Sequence, residues 1–221
     1  WPRIISTIAT LSVADDLGWF RRQVGAPADG PVVARRIPSP FNYRQQVLIY
    51  TPRGVEPAYE AGEEVYLRWL TGEVRRLVQA SRGRAFVLCT SRRRMEQLHD
   101  ALEARLPWPC YFQGGGLTRQ ELLEQFKADG NAVLFGTRSF WEGVDVPGDA
   151  LSMVILDKIP FLPHKDPVQM REEQLVRQRG GNPFEELQLA NAILTLRQGA
   201  GRLVRSESDR GVIALLDARI H

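Results

Sequence analysis

The residue types best suited to chemistry lie in QGAGRLVRSESDRG, 198–211. If a helix runs through this segment, Gln198, Arg202 and Arg205 stand at i, i+4 and i+7 and project from one face. An amide and two guanidiniums converging on one point suit a triphosphate. Phosphoryl transfer spreads negative charge over the equatorial oxygens, and an arginine finger that stabilises it is worth roughly 10³–10⁵ in rate. Gly199 and Gly201 each cost a helix interior about 1 kcal/mol relative to alanine, which suggests close approach of the backbone to another surface. The plainer reading is a solvated basic helix face with a fraying end.

Two further segments carry candidate binding groups. In FGTRSFWEGVDVPGD (135–149) an apolar strand opens into a loop bearing Thr137 and Ser139, whose hydroxyls could donate to phosphates. Trp141 could stack on a base or fill the core, and Glu142 and Asp145 could hold an arginine or a ribose hydroxyl. A plain loop with an Asx-type turn at Asp145 is the alternative. In VLCTSRRR (87–94), Thr90 and Ser91 read as helix caps, followed by Arg92, Arg93 and Arg94 in the first turn. Cations there oppose the helix dipole, so either an anion crosses the helix start or the face is simply solvated. No carboxylate pair or histidine forms a metal or hydrolytic constellation.

The elements that must position these groups form an alternating pattern. AFVLC (85–89) is a short run with no polar break, the pattern of a strand covered on both faces, and PCYF (109–112), AVLFGT (132–137), LSMVILD (151–157) and GVIALLD (211–217) read as further strands. Between them, 91–106 and a helix opened by a capping box at Thr118–Glu121 show helical spacing, and a long helix spans Phe184 to Arg205. VLIY (47–50) and RIISTIAT read as strands, 14–24 as a short helix and 60–81 as a longer one, while Pro/Gly-rich 25–31 reads as a linker within the domain. The expected fold is a single α/β domain with a mainly parallel sheet and helices on both faces. Ligands in such sheets bind beyond the carboxyl ends of the strands, just after Cys89, Thr137, Asp157 and Asp217.

Composition narrows the function classes. At 221 residues the chain can bury a core without staples, and its two cysteines, Cys89 and Cys110, form no C-x-x-C pair. A metal cluster within the chain is therefore not expected, and a reducing, cytoplasmic setting is. No apolar run approaches the roughly 18 residues of a membrane span. The net charge of +3 is small, but all cations other than Lys127, Lys158 and Lys165 are arginine. Arginine suits bidentate phosphate contacts and can equally reflect genome composition. The chain opens on Trp1 and runs straight into an apolar stretch, as a boundary cut close to or within a fold would.

In this order the segments resemble the DinG/XPD-like branch of superfamily 2 helicases. QGAGRLVR looks like motif VI, SFWEGVDVPG like motif V, VLCTS stands where motif IV would, and ATLS (9–12) resembles the end of motif III. LDKIPFLPHKDPV (156–168) resembles a segment that follows motif V in that branch; it either lines a DNA path or, as preferred here, packs against the sheet. The resemblance implies a RecA-like three-layer fold and the second motor domain of a DNA helicase, with 1–12 the tail of the preceding motor domain.

By the same resemblance Arg202 and Arg205 would be finger residues and Gln198 a phosphate contact. Glu142, Gly143, Asp145 and Gly201 would serve the nucleotide cleft. Thr90, Ser91, Arg92, Thr137, Ser139 and Trp141 would line the track of single-stranded DNA. ATP and Mg²⁺ would be shared with the first RecA-like domain of the same polypeptide, in a nucleoid-associated monomer. Any iron–sulfur cluster would belong to the parent protein rather than to this chain. The sequence holds no G-x-x-x-x-G-K-[ST] loop and no D-E-x-H box, so the chain alone is expected to hydrolyse no ATP. The competing readings are a catalytically inert single-strand-binding module, a helicase for RNA or hybrids, and a helicase fused to a nuclease.

Overall fold

A computed structural model describes residues 24–25, 39, 41–54, 60, 62–137, 140, 146, 150–162, 166–204 and 206–220, with the side chains of 199–202 outside the description. RIISTIAT, the motif III remnant, the short helix expected over 14–24 except Val24, and the linker 25–31 except Gly25 lie outside these residues. In chain order the elements are α1 (Tyr43–Gln46), β1 (Val47–Tyr50), α2 (Glu63–Ser81), β2 (Ala85–Cys89), α3 (Arg92–Leu102), β3 (Cys110–Phe112), α4 (Arg119–Asp129), β4 (Val133–Thr137), β5 (Met153–Leu156), α5 (Pro167–Gln178), α6 (Ala190–Leu203) and β6 (Gly211–Leu215). The chain gathers into two compact units: Phe41–Ile159 with Gly199–His221, and Trp1–Pro40 with Pro160–Gln198.

The first unit holds a six-stranded sheet in the order β1-β6-β5-β2-β4-β3. Every described pairing is parallel, as the apolar strands require. Ala85, Val87 and Cys89 of β2 meet Leu70, Val74 and Leu77 of α2 and Met95, Leu98 and Leu102 of α3 in one buried cluster. Phe86 points the other way, 4.8 Å from the ring of Phe126 on α4. Helices therefore cover both faces, giving three layers. The capping box forms as expected: Thr118 Oγ1 accepts from Glu121 N, and Glu121 Oε2 accepts from Thr118 N at 2.7 Å.

Most differences from the sequence reading are of boundary. The helix expected over 60–81 starts at Glu63, behind Gly62 at φ 85°. The helix expected over 91–106 gives way after Leu102 to a tighter turn, Glu103–Arg105. The long helix expected from Phe184 opens as a π-helical turn, Phe184–Leu189, and α6 ends at Leu203.

The second unit contains α5, which was not anticipated. Asp166 Oδ1 accepts from Val168 N and Gln169 N, and Pro167 occupies the first helical position, where its missing N–H is no loss. Gln188 ties this unit together, accepting from Leu162 N at 2.9 Å and donating to Glu173 at 3.2 Å. The segment read as packing against the sheet thus divides: up to Ile159 it belongs to the sheet unit, and from Pro160 to the helical one.

Candidate functional site

The parallel register levels the strand ends. Cys89 pairs with Thr137 and Leu88 with Leu156, while Asp157 N donates to Leu88 O and Leu216 N to Leu156 O. One edge of the sheet therefore presents Thr90, Thr137, Asp157 and Asp217 in adjacent columns.

At this edge Thr90 N donates to Asp157 Oδ1 at 2.8 Å and the Thr90 hydroxyl to Asp157 Oδ2 at 3.1 Å. Thr90 is thus no cap. Ser91 alone caps α3, its Oγ accepting from Arg94 N. The neighbouring column repeats the pattern, with Thr137 N and the Thr137 hydroxyl both donating to Gln113 Oε1, at 3.0 and 2.9 Å.

The arginines of α3 divide by role. Arg94 is buried, pairs with Glu63 of α2 and lies over the Tyr66 ring, 5.5 Å from its centroid. It belongs to neither the anion nor the solvated reading. Arg92 is exposed, bonds Glu96 at 3.1 Å and lays its guanidinium against Gly114. Gly114 is required twice: its φ is +107°, and a Cβ there would collide with Arg92 Nη2.

The two buried acids are held differently. Burial pushes Asp157 up to about 6, against the opposing pull of the Thr90 hydrogen bonds, Lys158 and Arg94. Burial also opposes ionisation of Asp217. Hydrogen bonds from the Arg219 side chain and from the backbone N–H of Ile159 and Arg219 outweigh it and hold Asp217 below its usual value. Tyr66, which donates to Leu216 O at 3.1 Å, is pushed up to about 12 by burial and by both acids. Burial likewise raises the Cys89 thiol, which makes it inert rather than nucleophilic.

At the far end of α6 the chain leaves the helix at Val204, and Leu203 and Val204 are buried. Gln198, Gly201 and Arg202 lie on α6, with Gln198 and Arg202 one turn apart. Arg205 lies outside the described residues. The turn after it is held by Gln46, whose Nε2 donates to Ser206 O at 2.8 Å and Asp209 O at 3.1 Å. Asp209 also accepts from Ser206 N at 2.9 Å.

A family model described as the helicase C-terminal domain matches residues 74–221, from within α2 to the end of the chain. The chain belongs to the helicase C-terminal domain family of DinG/XPD-like helicases. It is 42% identical to the ATP-dependent DNA helicase YoaA of Escherichia coli, over 98% of this chain and 33% of that protein. It is 37% identical to the ATP-dependent helicase DinG of Mycobacterium tuberculosis, over 98% of this chain and 32% of that protein. The 3′-5′ exonuclease DinG of Bacillus subtilis is 32% identical, with 24% of its length covered. The chain thus spans about a third or less of these relatives. In fold it is similar to a solved XPD helicase, at a TM-score of 0.60 and 20% identity over 78% of this chain and 32% of the other.

Within the helicase C-terminal domain, the structure gathers Thr90, Ser91, Arg92 and Thr137 at one sheet edge. Ser139, Trp141, Glu142, Gly143 and Asp145 lie outside the described residues. Their neighbour Phe140 is buried, and Gly136 makes room for it, since a Cβ at Gly136 would come within 2.9 Å of Phe140 Cβ. Sequence reasoning missed Gln113, Gln46 and the acceptor role of Asp157. Gln113 opens the run QGGG after β3, and Asp157 ends a strand, so both had a visible signal. Among the described residues no helix is long and apolar enough to cross a membrane.

Proposed function

We propose that this domain is the second RecA-like motor domain of an ATP-dependent helicase that translocates 5′ to 3′ along single-stranded DNA. The observation that carries the reading is that Thr90, Ser91, Arg92 and Thr137 stand together at the carboxyl edge of the sheet, in a chain of this family. Thr137, Ser91 and Arg92, with Ser139 and Thr90, line the single-strand track, and Trp141 stands beside it. Arg202 and Arg205 act as fingers on the nucleotide, Gln198 contacts its phosphates, Gly201 serves the nucleotide cleft, and Glu142, Gly143 and Asp145 couple that cleft to DNA.

The Gln46 clamp supports the assignment of Arg205, because it fixes the turn that begins at Ser206. A finger acts only if its guanidinium is aimed before charge develops. The phosphate loop and the acidic residues that hold Mg²⁺ belong to the first RecA-like domain, which is the partner this domain requires, and the full-length protein works as a cytoplasmic monomer. An iron–sulfur cluster, where the full-length protein has one, lies in that partner.

The test is single-strand-stimulated ATP hydrolysis by the full-length protein and its Arg205→Ala variant. The variant should lose about a hundredfold or more in rate while keeping its DNA affinity. An unchanged rate would remove Arg205 from the mechanism and motif VI with it.

A further inference from the structure

Both threonines at the sheet edge have their N–H and O–H protons taken by acceptors of this chain. At Thr137 the two donors converge on a single oxygen, Gln113 Oε1. One residue offering N–H and O–H to the same atom defines the seat of one oxygen, and here an amide oxygen fills it. We infer that the Thr137 N–H and hydroxyl form an oxyanion site for a phosphodiester oxygen of single-stranded nucleic acid, and that the Gln113 side chain keeps it closed until that oxygen displaces it. The inference rests on the track reading above and adds the residue that controls entry.

Three observations favour displacement here. The Gln113 main chain is fixed independently of its side chain, since its N–H donates to Phe135 O at 2.9 Å, so displacement at Thr137 need not move its Cα away from β4. The occupant is also neutral. A charged phosphate oxygen makes bonds roughly twice as strong to the same donors, so exchange is favourable. The exposed Arg92 guanidinium, packed on Gly114, puts a positive charge one residue from the seat.

The Thr90 seat lacks these properties. Its occupant is the carboxylate of Asp157, buried and bonded by its own N–H to Leu88 O. A phosphate approaching it would meet a like charge rather than replace a neutral group.

The experiment is fluorescence anisotropy of a labelled oligothymidylate with the full-length protein. Gln113→Ala should tighten binding by about three- to tenfold, the size of one competing neutral hydrogen bond. Gln113→Glu, which keeps an acceptor at the same atom but adds charge, should weaken it by about tenfold. In a Thr137→Val background the gain from Gln113→Ala should vanish. If Gln113→Ala lowers the melting temperature, Gln113→Glu decides alone, and affinity equal to wild type overturns the inference.

Unchanged or weaker binding by a stable Gln113→Ala variant overturns it, and so does a gain that survives Thr137→Val. The same variants titrated with ATP separate the two phosphate sources: a shift in the KM for ATP without a shift in oligonucleotide affinity also overturns it. If the wild type binds no oligonucleotide at all, the track reading beneath it fails first.

Discussion

Thr90 and Thr137 stand in adjacent columns of the same sheet edge, and each donates its N–H and its hydroxyl to one side chain from a neighbouring strand end. The acceptors differ in kind. Asp157 is a buried acid that joins β5 to β2, with the cations Arg94 and Lys158 close by. Gln113 is a half-buried amide on a glycine-rich loop. The same donor geometry thus serves two ends. Around Thr90 it locks two central strands together, and around Thr137 it keeps a set of donors satisfied while leaving them recoverable. Type and spacing of hydroxyls do not by themselves make a phosphate site; the exchangeability of the current partner does.

The largest effect should separate the two seats by stability. Asp157→Ala removes a charged acceptor from two donors at a buried strand end. Hydrogen bonds to charged groups contribute about 1.5–3 kcal/mol, so a loss of about 2 kcal/mol is expected in urea unfolding of the full-length protein. Gln113→Ala leaves the Thr137 donors within reach of water and should cost at most about 1 kcal/mol. Equal losses would break the comparison, because both threonines would then be structural.

How far this contrast was legible in the sequence follows from what each residue contacts. Strands such as AFVLC were readable because uninterrupted apolar runs have one stable use in a parallel sheet, and the capping box because its partners are three residues apart. Thr90, Ser91, Arg92 and Thr137 were placed at one edge by the parallel direction of the strands, whose carboxyl ends share an edge. What stayed hidden depends on long-range pairing. Asp157 meets Thr90 across 67 positions, Gln113 meets Thr137 across 24, and Gln46 meets Ser206 across 160. Arg94 shows the same limit, since a third arginine in a basic run reads as anion-binding or solvated until α2 supplies Glu63 and the Tyr66 ring. The helix α5 was legible in principle from Asp166-Pro167, and was missed because the segment was read as a single piece.

The smallest effect sharpens the comparison through pH, because only one of the two seats can titrate. Burial raises Asp157 to about 6 in the folded protein, above the value of about 4 expected unfolded. A raised folded value means the native state holds the proton more tightly. The stabilising contribution is therefore full below about pH 4 and is lost as pH rises through about 6. The melting temperature of wild type relative to Asp157→Asn should fall across that window and then level. Of the groups facing Asp157, Arg94 and Lys158 are cations that pull its value down, while Tyr66 and Cys89 are pushed up, away from this window. Oligonucleotide affinity should show no Asp157-dependent step near pH 6, since the seat that exchanges is closed by an amide. A step that Asp157→Asn abolishes would mean that Thr90 opens too, and that a buried carboxylate can yield to a phosphate.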